Sequence, residues 1–66
     1  MSGTIKIIIE KIIAARAKGN VALAQLTEAK LILRGVNPAD FTDKTPDDAS
    51  ILEKIKTIAQ EMGVVL

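Results

Sequence analysis

The absence of both cysteine and histidine is the feature that most restricts how this 66-residue chain can fold. A domain of this size hides only roughly 60% of the surface that its unfolded chain exposes, so its stability is marginal without further support. Many small domains obtain that support from disulfides, which need cysteine, or from zinc sites, which are built from cysteine and histidine. Stability must therefore come from apolar packing, for which the chain carries ten isoleucines.

The small size also predicts that the protein associates with itself. In a lone domain this short, the free energy gained by apolar burial is nearly cancelled by the conformational entropy lost on folding. A second copy would bury more apolar surface. We therefore expect a homo-oligomer, a dimer or larger. Another protein is a second candidate partner.

The apolar pattern predicts an all-α fold, a small three-helix bundle formed by residues 1–66 as a single helical domain. The helices are expected at about 4–18, 21–34 and 46–62. The short connection at 18–20 makes the first two antiparallel. The first helix has an apolar stripe at helical spacing. This stripe consists of Ile5, Ile8, Ile9, Ile12 and Ile13. A β-strand is the alternative for its start, because isoleucines also alternate there, but no second strand-like segment exists to pair with it.

The second helix has two apolar strips on nearly opposite sides. One consists of Ala22, Leu23, Leu26, Ala29 and Leu33, and the other of Val21, Ala24, Leu31 and Ile32. We expect the first strip to face the rest of the chain, which makes this the central or interface helix. The predicted interface residues are Ile7, Val21, Ala24, Leu31 and Ile32. The alternative is that the second helix lies between the first and third, which would cover both strips within one chain.

The third helix has one apolar and one polar side. Its stripe consists of Ile51, Leu52, Ile55, Ile58, Ala59 and Met62. Thr45 is the predicted N-cap and Pro46 the first helical residue. Phe41, the one aromatic residue, is expected to enter the core from the preceding connection, and residues 64–66 to fold back over the core.

Four carboxylates lie close together in the connection before the third helix: Asp40, Asp43, Asp47 and Asp48. Oxygen-rich loops of this kind can bind Ca²⁺ or Mg²⁺, but the spacing does not match the twelve-residue calcium loop. Helix capping explains Asp47 and Asp48, and turn formation explains Asp40. We therefore predict no metal and no cofactor.

The basic residues raise an alternative function, a small nucleic-acid-binding regulatory protein. Its phosphate contacts would come from Lys11, Arg16, Lys18, Lys30 and Arg34. A net charge of +1 and a single aromatic residue make nucleic acid the less favoured partner. Cations in a last helical turn also complement the helix dipole. Arg16 projects from the isoleucine stripe, and we expect it either to extend past the stripe's end or to pair with an acid across an interface.

Catalysis is not expected, because the hydroxyl groups have no histidine beside them to act as base. No segment has the roughly 18 consecutive apolar residues of a membrane span, and no leader pattern is present. We expect a cytoplasmic, non-catalytic protein–protein interaction module that serves as an adaptor or regulator. A membrane-surface peptide using the isoleucine-rich helix is the third alternative.

Overall fold

A computed structural model describes residues 3–66, which contain three α-helices. These are α1 (Thr4–Ala17), α2 (Val21–Leu33) and α3 (Ala49–Glu61), with one 3₁₀ turn at Pro38–Asp40 between α2 and α3. None of the described residues forms a β-strand. The predicted all-α bundle is therefore confirmed, and α1 and α2 end within one residue of their predicted limits.

The middle helix of the bundle is α1. It approaches both α2 and α3 closely, whereas α2 and α3 approach each other little. The domain measures 30 × 20 × 20 Å. The expectation that α2 is central or lies between the other two is wrong, because α1 and not α2 packs against both other helices.

The core is formed mainly by isoleucines of α1 and α3. Its fully buried members are Ile5, Ile9, Ile12, Leu31, Val36, Ile55, Ile58 and Ala59. The partly buried side chains around them are Ile8, Ile13, Phe41, Ile51, Leu52 and Met62. The predicted stripes of α1 and α3 and the packing of Phe41 are thus confirmed.

The ends of α2 and α3 have the same backbone structure. Gly35 and Gly63 take positive φ, as expected for the residue after a helix. The next amide then bonds back five residues, from Val36 to Leu31 O at 2.9 Å and from Val64 to the Ala59 oxygen at 2.8 Å. Both valines are buried as a result. The predicted folding back of the tail holds for Val64 but not for the next residue, which is 97% exposed.

The start of α3 corrects the predicted N-cap. The cap is Asp48, whose Oδ1 accepts hydrogen bonds from the amides of Ser50 at 2.9 Å and Ile51 at 3.3 Å. Thr45 instead accepts from the Thr42 amide at 2.8 Å, within the preceding turn. Because its hydroxyl is used in that turn, α3 begins three residues later than predicted.

The segment before α3 is held against the beginning of α1. The Gly3 amide donates to the Thr45 carbonyl at 3.0 Å, and the Thr4 hydroxyl donates to Asp47 Oδ2 at 3.1 Å. Gly3 has φ of +84°, and a Cβ there would lie 2.8 Å from the carbonyl oxygen of Asp43. Only glycine fits this approach without strain. Asp47 therefore contacts the N-terminus of α1.

Candidate interaction surface

The side of α2 that faces the core is nearly opposite to the predicted one. It is formed by Ala24, Thr27 and Leu31, which follow one another at spacings of three and four residues. Leu31 is 0% exposed and Thr27 only 4%. The Thr27 hydroxyl donates to the carbonyl oxygen of Leu23 at 2.8 Å, so this buried polar group has its hydrogen bond within the helix.

The opposite side of α2 carries an exposed apolar stripe, which we call the α2 outer face. It consists of Ala22, Leu26, Ala29 and Leu33. At about 100° per residue these four positions fall within about 60° of one another, on the far side of the helix from Leu31. Leu26 is 51% exposed and Leu33 84%. Leu23, also exposed, adjoins one edge of the stripe.

The fold buries some of the predicted interface residues and exposes others. Leu31 is inside the core and Ala24 is half-buried, so the prediction is wrong for Leu31 and the strip that contains it does not face outward. Ile7, Val21 and Ile32 are exposed. Ile7 lies on the side of α1 away from its buried stripe, while Val21 and Ile32 share a flank of α2. Leu26 and Leu33, which the apolar pattern assigns to the interior, face outward as well.

The predicted phosphate-binding residues are partly used within the chain. Arg16 donates to the carbonyl oxygen of Met62 at 3.2 Å, and Arg34 makes a two-bond ion pair with Glu61, one of whose contacts measures 2.9 Å. Both arginines therefore lie at the negative C-terminal end of α3. For Arg16, this contact fits the predicted extension past the end of the stripe. Its pairing with an acid across an interface stays a prediction.

These groups surround a shallow surface pocket of about 460 Å³. Its lining comprises Arg16, Lys30, Leu33, Arg34, Ile58, Glu61 and Met62, so Lys11 and Lys18 are not part of it. The hydrogen bond from Arg34, together with its charge, lowers the pKa of Glu61, although partial desolvation opposes this. A carboxylate that stays charged among these cations reduces their attraction for phosphate.

The acidic connection has structural roles in the described residues. Asp48 caps α3 and Asp47 contacts the start of α1, while Asn37 caps the turn that contains Asp40. Within residues 3–66, no three acidic side chains are placed so that they could hold a metal ion.

The length of the helices and the burial of the isoleucine stripe bear on contact with a membrane. Each helix in the described part of the chain is too short or too polar to cross a membrane. The isoleucine stripe of α1 lies in the core, so a membrane surface could contact it only if the bundle opened.

Comparison with known protein families, with curated proteins and with solved structures gives no match. The functional assignment therefore depends on the surface chemistry of the chain itself. Its most distinctive surface is the α2 outer face, which sequence reasoning placed in the interior. The signal that could have found it is the spacing of its four residues by four, three and four, with no polar side chain among them.

Proposed function

We propose that this chain is a non-catalytic protein–protein interaction module that self-associates through the α2 outer face and acts as a small adaptor or regulator. The observation that carries the proposal is the exposure of Leu26 and Leu33 on one uninterrupted apolar stripe. Soluble proteins rarely leave contiguous apolar patches uncovered, and such patches mark interaction sites. A bundle this small gains stability by covering one with a second copy.

The solvent side of α3 supports this choice by contrast. It carries Glu53, Lys54 and Lys56, all exposed, which suit contact with water. On α2, the outer face offers four apolar side chains without a charge among them. Because charged side chains cover the solvent side of α3 but are absent from the α2 outer face, α2 is favoured as the helix that binds a partner.

Other classes of function have less support. The sequence has no histidine or cysteine to serve as base or nucleophile. Two of the five cations assigned to nucleic-acid binding, Arg16 and Arg34, already contact groups at the end of α3. A chain without cysteine also suits a reducing compartment, and we therefore propose a cytoplasmic location.

Sedimentation of the pure protein from low micromolar to near-millimolar concentration tests the proposal, and we expect the average mass to rise with concentration. Ala29→Lys should give a folded monomer, because it places a charge in the outer face. Ala15→Lys is the matched control, since Ala15 is also exposed within a helix but lies on α1. It should associate like the wild type.

A wild-type protein that stays monomeric throughout this range would overturn the proposal. Equal association of both lysine variants would instead place the interface away from α2. Circular dichroism of each variant shows whether the helices are retained.

A further inference from the structure

The α2 outer face has an internal order that specifies how a second copy would bind. Small and large side chains alternate along it, as Ala22, Leu26, Ala29 and Leu33, all exposed. We infer that the interface is an antiparallel pairing of α2 with α2 of a second copy, in which Leu26 packs against Ala29 and Leu33 against Ala22. This inference rests on the proposed self-association and adds its orientation and register.

Packing volume favours the antiparallel direction. With a two-fold axis between positions 27 and 28, each leucine meets an alanine of the second copy, so every layer has the same volume and the helix axes can stay about 8–10 Å apart. A parallel pairing would place leucine on leucine and alanine on alanine. Its layers would be alternately crowded and hollow, which costs packing contacts.

The residues at the edges of the stripe agree with the same direction. In the antiparallel pair, Lys30 lies beside Leu23 of the second copy, where its aliphatic stem can cover that exposed side chain. Gln25 lies beside Ile32 in the same way. The two Lys30 residues lie on the same flank but are offset by about 7.5 Å along the helices, so their ammonium groups can extend away from each other. The stripe itself carries no charge, so its apolar surface is complementary to itself, as a two-fold contact requires.

The size of the surface sets the expected strength. A helix of 13 residues is about 20 Å long, so one face of it falls below the roughly 800 Å² that each partner contributes to a standard interface. We therefore expect a dimer that dissociates in the micromolar range or above. This is why the measurements extend to high concentration.

Cysteine cross-linking tests the orientation without background, since the natural chain has no cysteine. The variants Ala22→Cys and Leu33→Cys are mixed in equal amounts at high concentration and oxidised, and the products are separated by mass. A disulfide needs Cα atoms about 4.4–6.8 Å apart. In the antiparallel pair, position 22 meets position 33, whereas identical positions are separated by about 16 Å along the helix. The mixed disulfide should exceed either symmetric one by about tenfold.

The remaining outcomes separate this inference from the proposed function. Symmetric disulfides in excess would show a parallel pair, which overturns the inference and leaves self-association in place. Equal total amounts of mixed and symmetric disulfides, or no disulfide in a protein that sediments as a dimer, would place the interface elsewhere. A protein that neither cross-links nor sediments as a dimer would remove both proposals.

A second pair of variants avoids oxidation. Exchanging the two central residues, Leu26→Ala with Ala29→Leu, keeps every leucine opposite an alanine in the antiparallel register. The exchanged protein should dimerise within about threefold of the wild type, while Leu26→Ala alone should weaken the dimer about tenfold or more. Equal weakening by the exchange and by the single substitution would overturn the register.

Discussion

The helices α2 and α3 have the same length, 13 residues, and end in the same glycine motif, but they use their apolar residues differently. In α3 the apolar side chains lie on one side, and that side faces the core. In α2 they lie on two sides, and the bundle buries only one of them. A helix with one apolar side has one way to pack, whereas a helix with two retains a second surface for another contact.

The buried side of α2 contains a polar residue, Thr27. Thr27 lies at the centre of the buried side, where Ala24 and Leu31 flank it at helical spacing. Its hydroxyl loses no hydrogen bond on burial, because the carbonyl of Leu23 accepts it. Pattern analysis that counts threonine as polar therefore turns the helix the wrong way.

The largest effect is expected on the apolar side of α3. Ile55→Asp places an unpaired carboxylate at a position that is fully buried, so the variant should lose cooperative unfolding altogether. Thermal unfolding followed by circular dichroism measures this. A melting curve like that of the wild type would mean that α3 does not depend on this side for its packing.

Two leucines of α2 that lie two residues apart should differ next most strongly in their effect on the free energy of unfolding. Leu31→Ala should lower the free energy of unfolding by about 2–5 kcal/mol, because it opens a cavity in the core. Leu33→Ala should change the monomer by less than about 0.5 kcal/mol, since the side chain lies mostly in water. Urea unfolding at low protein concentration compares them. Similar losses for both would show that α2 is sandwiched between two surfaces.

The sequence predicts well wherever one local pattern decides the structure. The isoleucine stripe of α1, the stripe of α3 and the glycine ends of two helices follow from spacing and from φ alone. The start of α3 does not, because Thr45 and Asp47 bond to Gly3 and Thr4, more than 40 residues away in the chain. The interface prediction fails at Leu31 for a related reason, since two equally apolar strips leave the choice to the tertiary packing.

Removing the N-cap of α3 or of α2 should have a smaller effect on the free energy of unfolding. Asp48→Ala should lower the free energy of unfolding by about 1 kcal/mol, because its carboxylate accepts two amide hydrogen bonds at the start of α3. Asn20→Ala, at the start of α2, removes a bond to the Leu23 amide only and should cost less. Thr45→Ala checks the corrected boundary by circular dichroism, since it removes only side-chain bonds to Thr42 in the preceding turn and should leave the helix content unchanged. A larger loss of helix content than in Asp48→Ala would mean that α3 begins at the earlier position.

The smallest effect concerns the ion pair that joins the ends of the two helices. Arg34 lowers the pKa of Glu61 in the folded protein, mainly by its hydrogen bond, so the folded state binds this proton less readily than the unfolded chain. The pair therefore stabilises the fold fully above the ordinary glutamate pKa of about 4.3, and that contribution disappears as the pH falls through the lowered pKa. Both side chains are about half exposed, so the contribution is small and should diminish in concentrated salt.

The pH dependence is checked by urea unfolding of Glu61→Gln and of the wild type at pH 7 and pH 3, with Glu53→Gln on the same helix as control. The difference should be present at pH 7 and shrink towards pH 3. A difference that is independent of pH would show that the packing of the side chain, and not its charge, connects α2 to α3.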